Sequence, residues 1–406
     1  MKRTTDRPVP GQSAPAPDNL GDNPDPLSEQ PDVTIHSLKE LIDAVTGKDL
    51  WNLHDVEDAG LVETLPFPFL ALVGQPELKL ALLLGLVNPA IGGVLLIGPR
   101  GTGKTTAVRS LTDLLPQTPR SLCYYGCLPD DIETGGIDAV CPECARKYGQ
   151  GEPLTRLDRV RLIELPLNAR LDDVLGGLDE RAAAHERIQL RRGILAQADR
   201  NLLYIDEVNL LSNEVVDMIL DAAAQGRYTV RRGPLASTYR SRFVLIGSMN
   251  PEEGRLRPQI MDRFGLRVVV HGLQNSAERL KVYERVRAYQ LNPRRVTLEY
   301  AEQNLQVAAE IQEIRDRMPE VSLPLEVAEA GLGLISQLEI DSARAEISLF
   351  EAARAHAALD GRLQTSLTDL HAVAPMALRM RRSPFMQDFF LQQDKEEHEL
   401  RQILAA

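Results

Sequence analysis

A chain of 406 residues, 43% hydrophobic and 26% charged, has the composition of a globular protein with room for two or three domains. Its formal net charge of −12 argues against a body that coats nucleic acid or anionic lipid, because counterion release needs clustered cations on the protein side. No apolar run reaches the roughly eighteen residues of a membrane span, and Met1 to Thr5 open no signal-peptide core, so a cytoplasmic place is expected.

Residues 1–33 are rich in Pro, Asp, Gly, Ser and Gln, with almost no large apolar side chains to offset ordering entropy. A disordered arm is expected there. Over residues 34–64 a short helical extension is expected, because Ile35, Leu38, Leu41, Ile42 and Val45 recur at helical spacing. The segment Leu65 to Gln75 leads into a helix predicted over Pro76 to Val87, with proline in its first turn. Val73 and Gly74 could wrap a purine base or simply pack in the core.

The apolar run Gly93 to Ile97 reads as a buried strand, and Gly98-Pro-Arg-Gly-Thr-Gly-Lys104-Thr105 follows it directly. This stretch matches the phosphate-binding pattern G-x-x-x-x-G-K-S/T at every fixed position. A strand ends, a turn containing Gly98, Gly101, Thr102 and Gly103 exposes backbone N–H groups, and a helix begins at about Lys104 with its positive end toward the turn. Such a loop holds a triphosphate, here ATP. Lys104 would neutralise the β- and γ-phosphates, the Thr105 hydroxyl would take one position on Mg²⁺, and Thr106 continues the amphipathic pattern to Leu115.

All four cysteines, Cys123, Cys127, Cys141 and Cys144, fall in one window spaced C-x3-C-x13-C-x2-C. In a reducing compartment that pattern favours a structural zinc site, with a redox-sensitive dithiol or unliganded thiols as the alternatives.

Strands are predicted at Val160 to Leu165 and at Asn201 to Glu207, with short helical or turn elements at Leu171 to Leu178 and Ile194 to Ala198. At Asp206-Glu207 an apolar strand runs into two carboxylates, which alternation would place on opposite faces. Asp206 would then share the Mg²⁺ with Thr105, and Glu207 would orient or deprotonate the attacking water. A helix over Glu214 to Ala224 closes at Gly226 and is followed by a hairpin from Arg227 to Arg242 carrying Arg227, Arg231, Arg232, Arg240 and Arg242. Those arginines read either as a solvated edge or as a grip on an acidic partner or a nucleic-acid backbone. Strand Phe243 to Ser248 ends near Asn250, whose amide could hydrogen-bond the water or the γ-phosphate. A last strand is predicted over Leu266 to Val270, and helical patterns fill the chain from about Gln274 to Met386. A charged tail then occupies residues 386–406.

Taken together, Gly98 to Thr105, Asp206-Glu207-Val-Asn-Leu-Leu211, Gly247-Ser-Met-Asn250-Pro and Leu256-Arg-Pro-Gln-Ile-Met-Asp262-Arg263-Phe264 resemble the AAA+ ATPases, and more narrowly the ATPase I subunits of magnesium chelatase, over about residues 66–385. The resemblance implies an α/β fold: a P-loop domain over 65–273, with a five-stranded parallel sheet flanked by helices and a four-cysteine insertion at about 121–150. An all-helical linker and lid over 274–385 would follow. It further implies that Asn250 is the first sensor, that Arg263 is an arginine finger reaching into a neighbouring protomer, and that Arg344 is the second-sensor arginine. Here Ser342-Ala-Arg344-Ala-Glu346 replaces the glycines the family often carries around that arginine.

The implied activity is ATP hydrolysis by a hexameric ring that drives Mg²⁺ insertion into protoporphyrin IX. The implied partners are a subunit bearing a metal-adhesion domain and a porphyrin-binding subunit, with no role for nucleic acid. A chelatase-like motor for cobalt or another client, and a nucleotide-switched scaffold, are the alternative readings.

Overall fold

The computed structural model describes residues 65–115, 117–177, 190–233 and 235–382, together with Gln393 and Lys395. The arm expected over 1–33 and the helical extension over 34–64 lie outside the described residues, as do Pro234 in the hairpin turn and nearly all of the tail over 386–406.

Among the described residues nine strands follow one another: β1 (Val94–Ile97), β2 (Gln117–Ser121), β3 (Thr155–Arg159), β4 (Leu162–Leu165), β5 (Leu202–Ile205), β6 (Arg227–Arg232), β7 (Leu235–Arg240), β8 (Val244–Met249) and β9 (Leu266–Val269). Five of them form one parallel sheet in the order β4-β5-β8-β1-β9. The other four make two antiparallel ribbons, β2 with β3 and β6 with β7.

The central strands are apolar at nearly every position because both faces of the sheet are covered. Alternation divides them between two cores. Val94, Leu96, Leu202, Tyr204 and Ile246 pack on one face with the helices Pro76–Val87, Ala343–Leu359 and Leu367–Leu378. Leu95, Ile97, Leu203, Ile205 and Leu245 pack on the other with the helix Asn213–Gln225. That last helix is bounded as its sequence leads one to expect: the Ser212 hydroxyl accepts from the Val215 N–H, and Gly226 at φ 64° ends it.

The helix after the phosphate loop is shorter than the amphipathic pattern suggests. It is α-helical only over Lys104–Arg109 and tightens to a 3₁₀ turn over Ser110–Leu114. The hydroxyls of Ser110 and Thr112 donate to the carbonyls three residues back, at 2.7 Å in both cases. Such local bonds compete with the regular ladder.

Beyond β9 the described chain is helical, in Ser276–Leu291, Pro293–Arg317, Leu325–Gln337, Ala343–Leu359 and Leu367–Leu378. Asn88 at the end of the first sheet helix donates to the Glu351 carboxylate at 2.7 Å, joining the helical region to the sheet. No helix among the described residues is long and apolar enough to cross a membrane.

Candidate nucleotide site

Strands β5, β8 and β1 are neighbours and parallel, so the loops at their carboxyl ends converge on one edge of the sheet. Gly98 leaves β1 with its N–H on the Met249 carbonyl at 3.1 Å. A Cβ at Gly98 would come within 2.3 Å of the Val270 carbonyl oxygen, so only glycine fits. Gly101 and Gly103 have open space around them but φ of 77° and 84°, the left-handed region that glycine enters freely. Lys104 is buried and donates to the Gly98 and Pro99 carbonyls at 2.7 and 2.8 Å. Burial pushes its ammonium pKa down, and Asp206, Glu207 and Glu253 pull it back up. The loop is thus a turn with exposed amide edges and one cation beneath it, which is the donor set a triphosphate requires.

The pairing of β5 with β8 sets Ile205 opposite Gly247, which brings Ser248 beside Asp206. Asp206 Oδ1 accepts from the hydroxyls of Ser248 and of Tyr204, the latter at 2.9 Å. Thr105 Oγ1 lies 3.3 Å from Asp206 Oδ2 and 3.2 Å from the Tyr204 hydroxyl oxygen. At that spacing two oxygens can share one small hard cation such as Mg²⁺. Burial raises the Tyr204 phenol above its ordinary range, so it stays a donor.

Glu207 departs from the Asp206 side by a different route than strand alternation. The strand ends at Ile205, and Glu207 itself takes φ 52°, a left-handed conformation unusual for a non-glycine residue. Its N–H donates to Ser248 Oγ at 3.1 Å, which holds the turn. The carboxylate lies 3.4 Å from Arg100 Nη2 in the phosphate loop. Arg100 also pairs with Glu253. Asn250 is buried and donates to Glu253 Oε1 at 3.1 Å, which holds the Glu253 carboxyl below its usual range. Glu207, Asn250 and the loop therefore meet through a bridge of Arg100 and Glu253 that the motifs do not announce.

Beside the loop a cavity of about 630 Å³ is lined by Val73, Gly101, Thr102, Gly103 and Thr106. Phe67, Leu72 and Leu78 give it an apolar wall, and Val282 and Val286 of the helix Ser276–Leu291 close the far side. Its size and lining suit a purine nucleoside. Gly74 shapes the cavity rather than lining it: its φ is 63°, and a Cβ there would stand 2.6 Å from the Leu273 side chain.

A family profile described as an AAA domain matches residues 92–252, and one described as an AAA lid domain matches residues 333–403. Over 323 residues the chain is 41% identical to a protein of Methanocaldococcus jannaschii named "Magnesium-chelatase subunit ChlI homolog", covering 79% of this chain and 87% of that one. Over a stretch of the same length it is 42% identical to the "Magnesium-chelatase 38 kDa subunit" of Acidiphilium rubrum, covering 78% of this chain and 92% of the relative. The chain belongs to the magnesium-chelatase I-subunit family of AAA+ ATPases. A "Magnesium-chelatase subunit ChlI" of Nostoc is 38% identical over 317 residues, covering 78% of this chain and 84% of the relative. A solved structure from Cytophaga hutchinsonii, 19% identical, covers 77% of this chain and 83% of its own with a TM-score of 0.50, which shows the shared fold.

In this ATPase of the chelatase family, the two remaining residues that the sequence singled out, Arg263 and Arg344, rest on acidic partners of their own. Arg263 ends the helix Pro258–Arg263 and pairs with Asp221 at 2.9 Å, its Nη1 also donating to the Asp217 carbonyl at 3.3 Å. Arg344, in the first turn of Ala343–Leu359, pairs with Asp262 at 3.5 Å and is more than half exposed.

The four cysteines also come together, with their Sγ atoms all within 4.8 Å of one another. Sequence reasoning missed Tyr204, Ser248, Arg100 and Glu253. Tyr204 and Ser248 left a faint signal, a hydroxyl inside an otherwise apolar strand, and Arg100 and Glu253 left none. Of the hairpin arginines, Arg227 and Arg231 are exposed, while Arg232 pairs with Asp172 and Arg240 and Arg242 turn inward. The hairpin is therefore less a free cationic grip than its composition suggests.

Proposed function

We propose that this chain is the ATP-hydrolysing motor of a magnesium chelatase-type complex, working as a hexameric ring in the cytoplasm to drive Mg²⁺ insertion into protoporphyrin IX for chlorophyll synthesis. The observation that carries the reading is the pairing of roughly 40% identity to chelatase subunits over most of the chain with a complete set of phosphate-site groups on one sheet edge. Its partners in this reading are a subunit with a metal-adhesion domain and a porphyrin-binding subunit. Nucleic acid has no part, in keeping with the acidic net charge.

The loop amides of Gly98 to Gly103 and the Lys104 ammonium bind and neutralise phosphate oxygens. Thr105 and Asp206 would hold Mg²⁺, which supplies charge neutralisation across the phosphates when bound. Glu207 orients water and accepts its proton, and Arg100, which holds it at 3.4 Å, must yield for that carboxylate to turn toward the water. Asn250, tied through Glu253 to the same arginine, links the water site to β8. Val73, Gly74 and Thr106 belong to the nucleoside side of the site. Arg263 serves a neighbouring protomer, because its own chain holds it on Asp221, and an arginine supplied in this way is worth about 10³ to 10⁵ in rate. Arg344 is the lid's second sensor, swinging from Asp262.

The test combines this chain with porphyrin-binding and metal-adhesion subunits from the same source and follows magnesium protoporphyrin by fluorescence, with and without ATP. Insertion that requires ATP and is lost in Glu207→Gln, which still binds nucleotide, is the expected result. Strong ATP hydrolysis with Co²⁺ rather than Mg²⁺ inserted, or with no insertion by any combination, would reassign the motor to another client.

A further inference from the structure

The four-cysteine insertion contributes no residue to the cleft described above, yet it is an elaborate feature. Strands β2 and β3 pair with Gln117 opposite Arg159 and Ser121 opposite Thr155, forming a ribbon that carries the insertion at its end. There Cys123 Sγ lies 3.4 Å from Cys141 Sγ and 3.7 Å from Cys127 Sγ. Four thiolates at about 2.3 Å from a tetrahedral zinc ion stand about 3.8 Å apart, whereas a disulfide would need about 2.05 Å. All four are free thiols. Cys127 and Cys144 are buried against Leu154, and backbone N–H groups of Tyr125 and Cys141 donate to Cys123 and Cys127 sulfurs at 3.2 and 3.4 Å. Amide donors aimed at sulfur are the usual outer support of a thiolate site.

We propose that Cys123, Cys127, Cys141 and Cys144 bind one Zn²⁺ and that the loaded site braces the β6–β7 hairpin. The segments that the cysteines delimit are the ones that touch the hairpin. Between Cys123 and Cys127, the Tyr125 carbonyl accepts from the Arg240 N–H at 3.3 Å, and the Gly126 carbonyl accepts from Arg242 Nη2 at 3.0 Å. The Tyr125 ring stacks on Tyr239, with centroids 5.7 Å apart and planes at 29°. Gly126 has φ 79°, and a Cβ there would stand 3.2 Å from the Arg240 Cβ, so the loop is built to lie against the hairpin. Between Cys127 and Cys141, Asp131 accepts from Arg242 Nη1 at 3.2 Å and the Ala139 carbonyl accepts from Arg240 Nη2 at 3.0 Å. The insertion's own apolar cluster is small, Cys127, Cys144 and Leu154 with a few half-buried neighbours, so a cross-link would add much to its order. Zinc supplies that cross-link, as it does in small domains that fold only when loaded.

The full chain, purified under reducing conditions, is assayed for zinc by atomic emission and for zinc release as a mercurial reagent blocks the thiols. One zinc per chain, released in step with the four thiols, is expected. Replacement by Co²⁺ should give the visible absorption of a tetrahedral thiolate site, and Cys141→Ser with Cys144→Ser should lose both signals. A reduced chain that neither carries zinc nor takes up Zn²⁺ or Co²⁺ overturns the site. Hydrogen exchange reads the brace: amides of Tyr228 to Tyr239 should exchange at least about tenfold faster once zinc is removed, with those of β1 unchanged. Tyr125→Ala should keep its zinc and still loosen the hairpin. Equal hairpin exchange with and without zinc, or in Tyr125→Ala and the parent chain, overturns the brace. None of these readings depends on nucleotide or porphyrin, so they stand or fall apart from the motor assignment.

Discussion

Two aspartates with opposite surroundings divide the work of the chain. Asp206, at the carboxyl edge of the sheet, is met by three hydroxyls, those of Thr105, Tyr204 and Ser248. Asp262, where the sheet joins the helical region, is met by guanidinium groups of Arg381 at 2.7 Å, Arg344 at 3.5 Å and Arg267 at 3.7 Å, and by the Ser342 hydroxyl at 3.2 Å. Neutral donors orient a carboxylate without cancelling its charge, so Asp206 remains free to serve a cation. Three guanidinium groups cancel it, so Asp262 acts as a clamp. The kind of donor, more than the number, separates a working carboxylate from a structural one.

The sharpest way to break this contrast is at Asp206. Asp206→Asn should lower ATP hydrolysis by at least about 10³-fold while leaving the unfolding midpoint within about 2 °C, since its hydroxyl donors can bond an amide oxygen as well. Preserved hydrolysis in a phosphate-release assay would make Asp206 as structural as its counterpart. Asp262→Ala should do the reverse. It leaves Arg267 and Arg381, whose side chains are fully buried, without their shared anion, and should cost about 3–5 kcal/mol in urea unfolding. Burial and the neighbouring Arg381 have already pushed the Arg267 guanidinium down to about 9, a sign of how crowded the positive charge is there. A loss under about 1 kcal/mol would sink the clamp.

The smallest effect concerns a third aspartate that has neither arrangement. Among the described residues Asp113 accepts from the Asn304 amide alone, at 3.3 Å, and burial raises its carboxyl from an ordinary 3.8 to about 6. Between those values the folded chain holds a proton that the unfolded chain has released. The stability tied to that proton is therefore complete below pH 3.8 and is lost as pH rises through about 6. Asp113→Asn should stabilise the chain by about 1 kcal/mol at pH 8, a figure discounted because solvent reaches the carboxyl, and by nothing measurable near pH 4. A gain that is equal at both pH values would mean that the ionised carboxylate is not what strains the site.

Much of the site could be read from neighbours in the chain. Gly98 to Thr105 declares its turn because glycines, lysine and threonine must sit at consecutive positions to meet one phosphate group, and Asp206-Glu207 declares itself as paired acids at a strand end. The Tyr204 and Ser248 hydroxyls on Asp206 were hard to read because they sit inside apolar strands, and Ser248 reaches Asp206 only through the register of β5 with β8. Alternation separated Glu207 from Asp206 but did not show the route, since the strand ends at Ile205 and a left-handed turn at Glu207 carries its carboxylate toward Arg100. The hairpin arginines were ambiguous for a related reason: Arg240 and Arg242 find Asp131 and Asp199, residues supplied by segments far away in the chain.

Local chemistry therefore carried the class of the protein: the nucleotide loop, the acid pair, the run of apolar strands and the spacing of the cysteines are all written in short contiguous stretches. Folding decided which groups share a carboxylate, that Arg100 bridges Glu207 and Glu253, that Arg263 faces Asp221, and that the cysteine insertion lies against the hairpin. Those facts depend on strand order and register. Backbone hydrogen bonds between segments far apart in the chain set both, and no local preference along the chain encodes them.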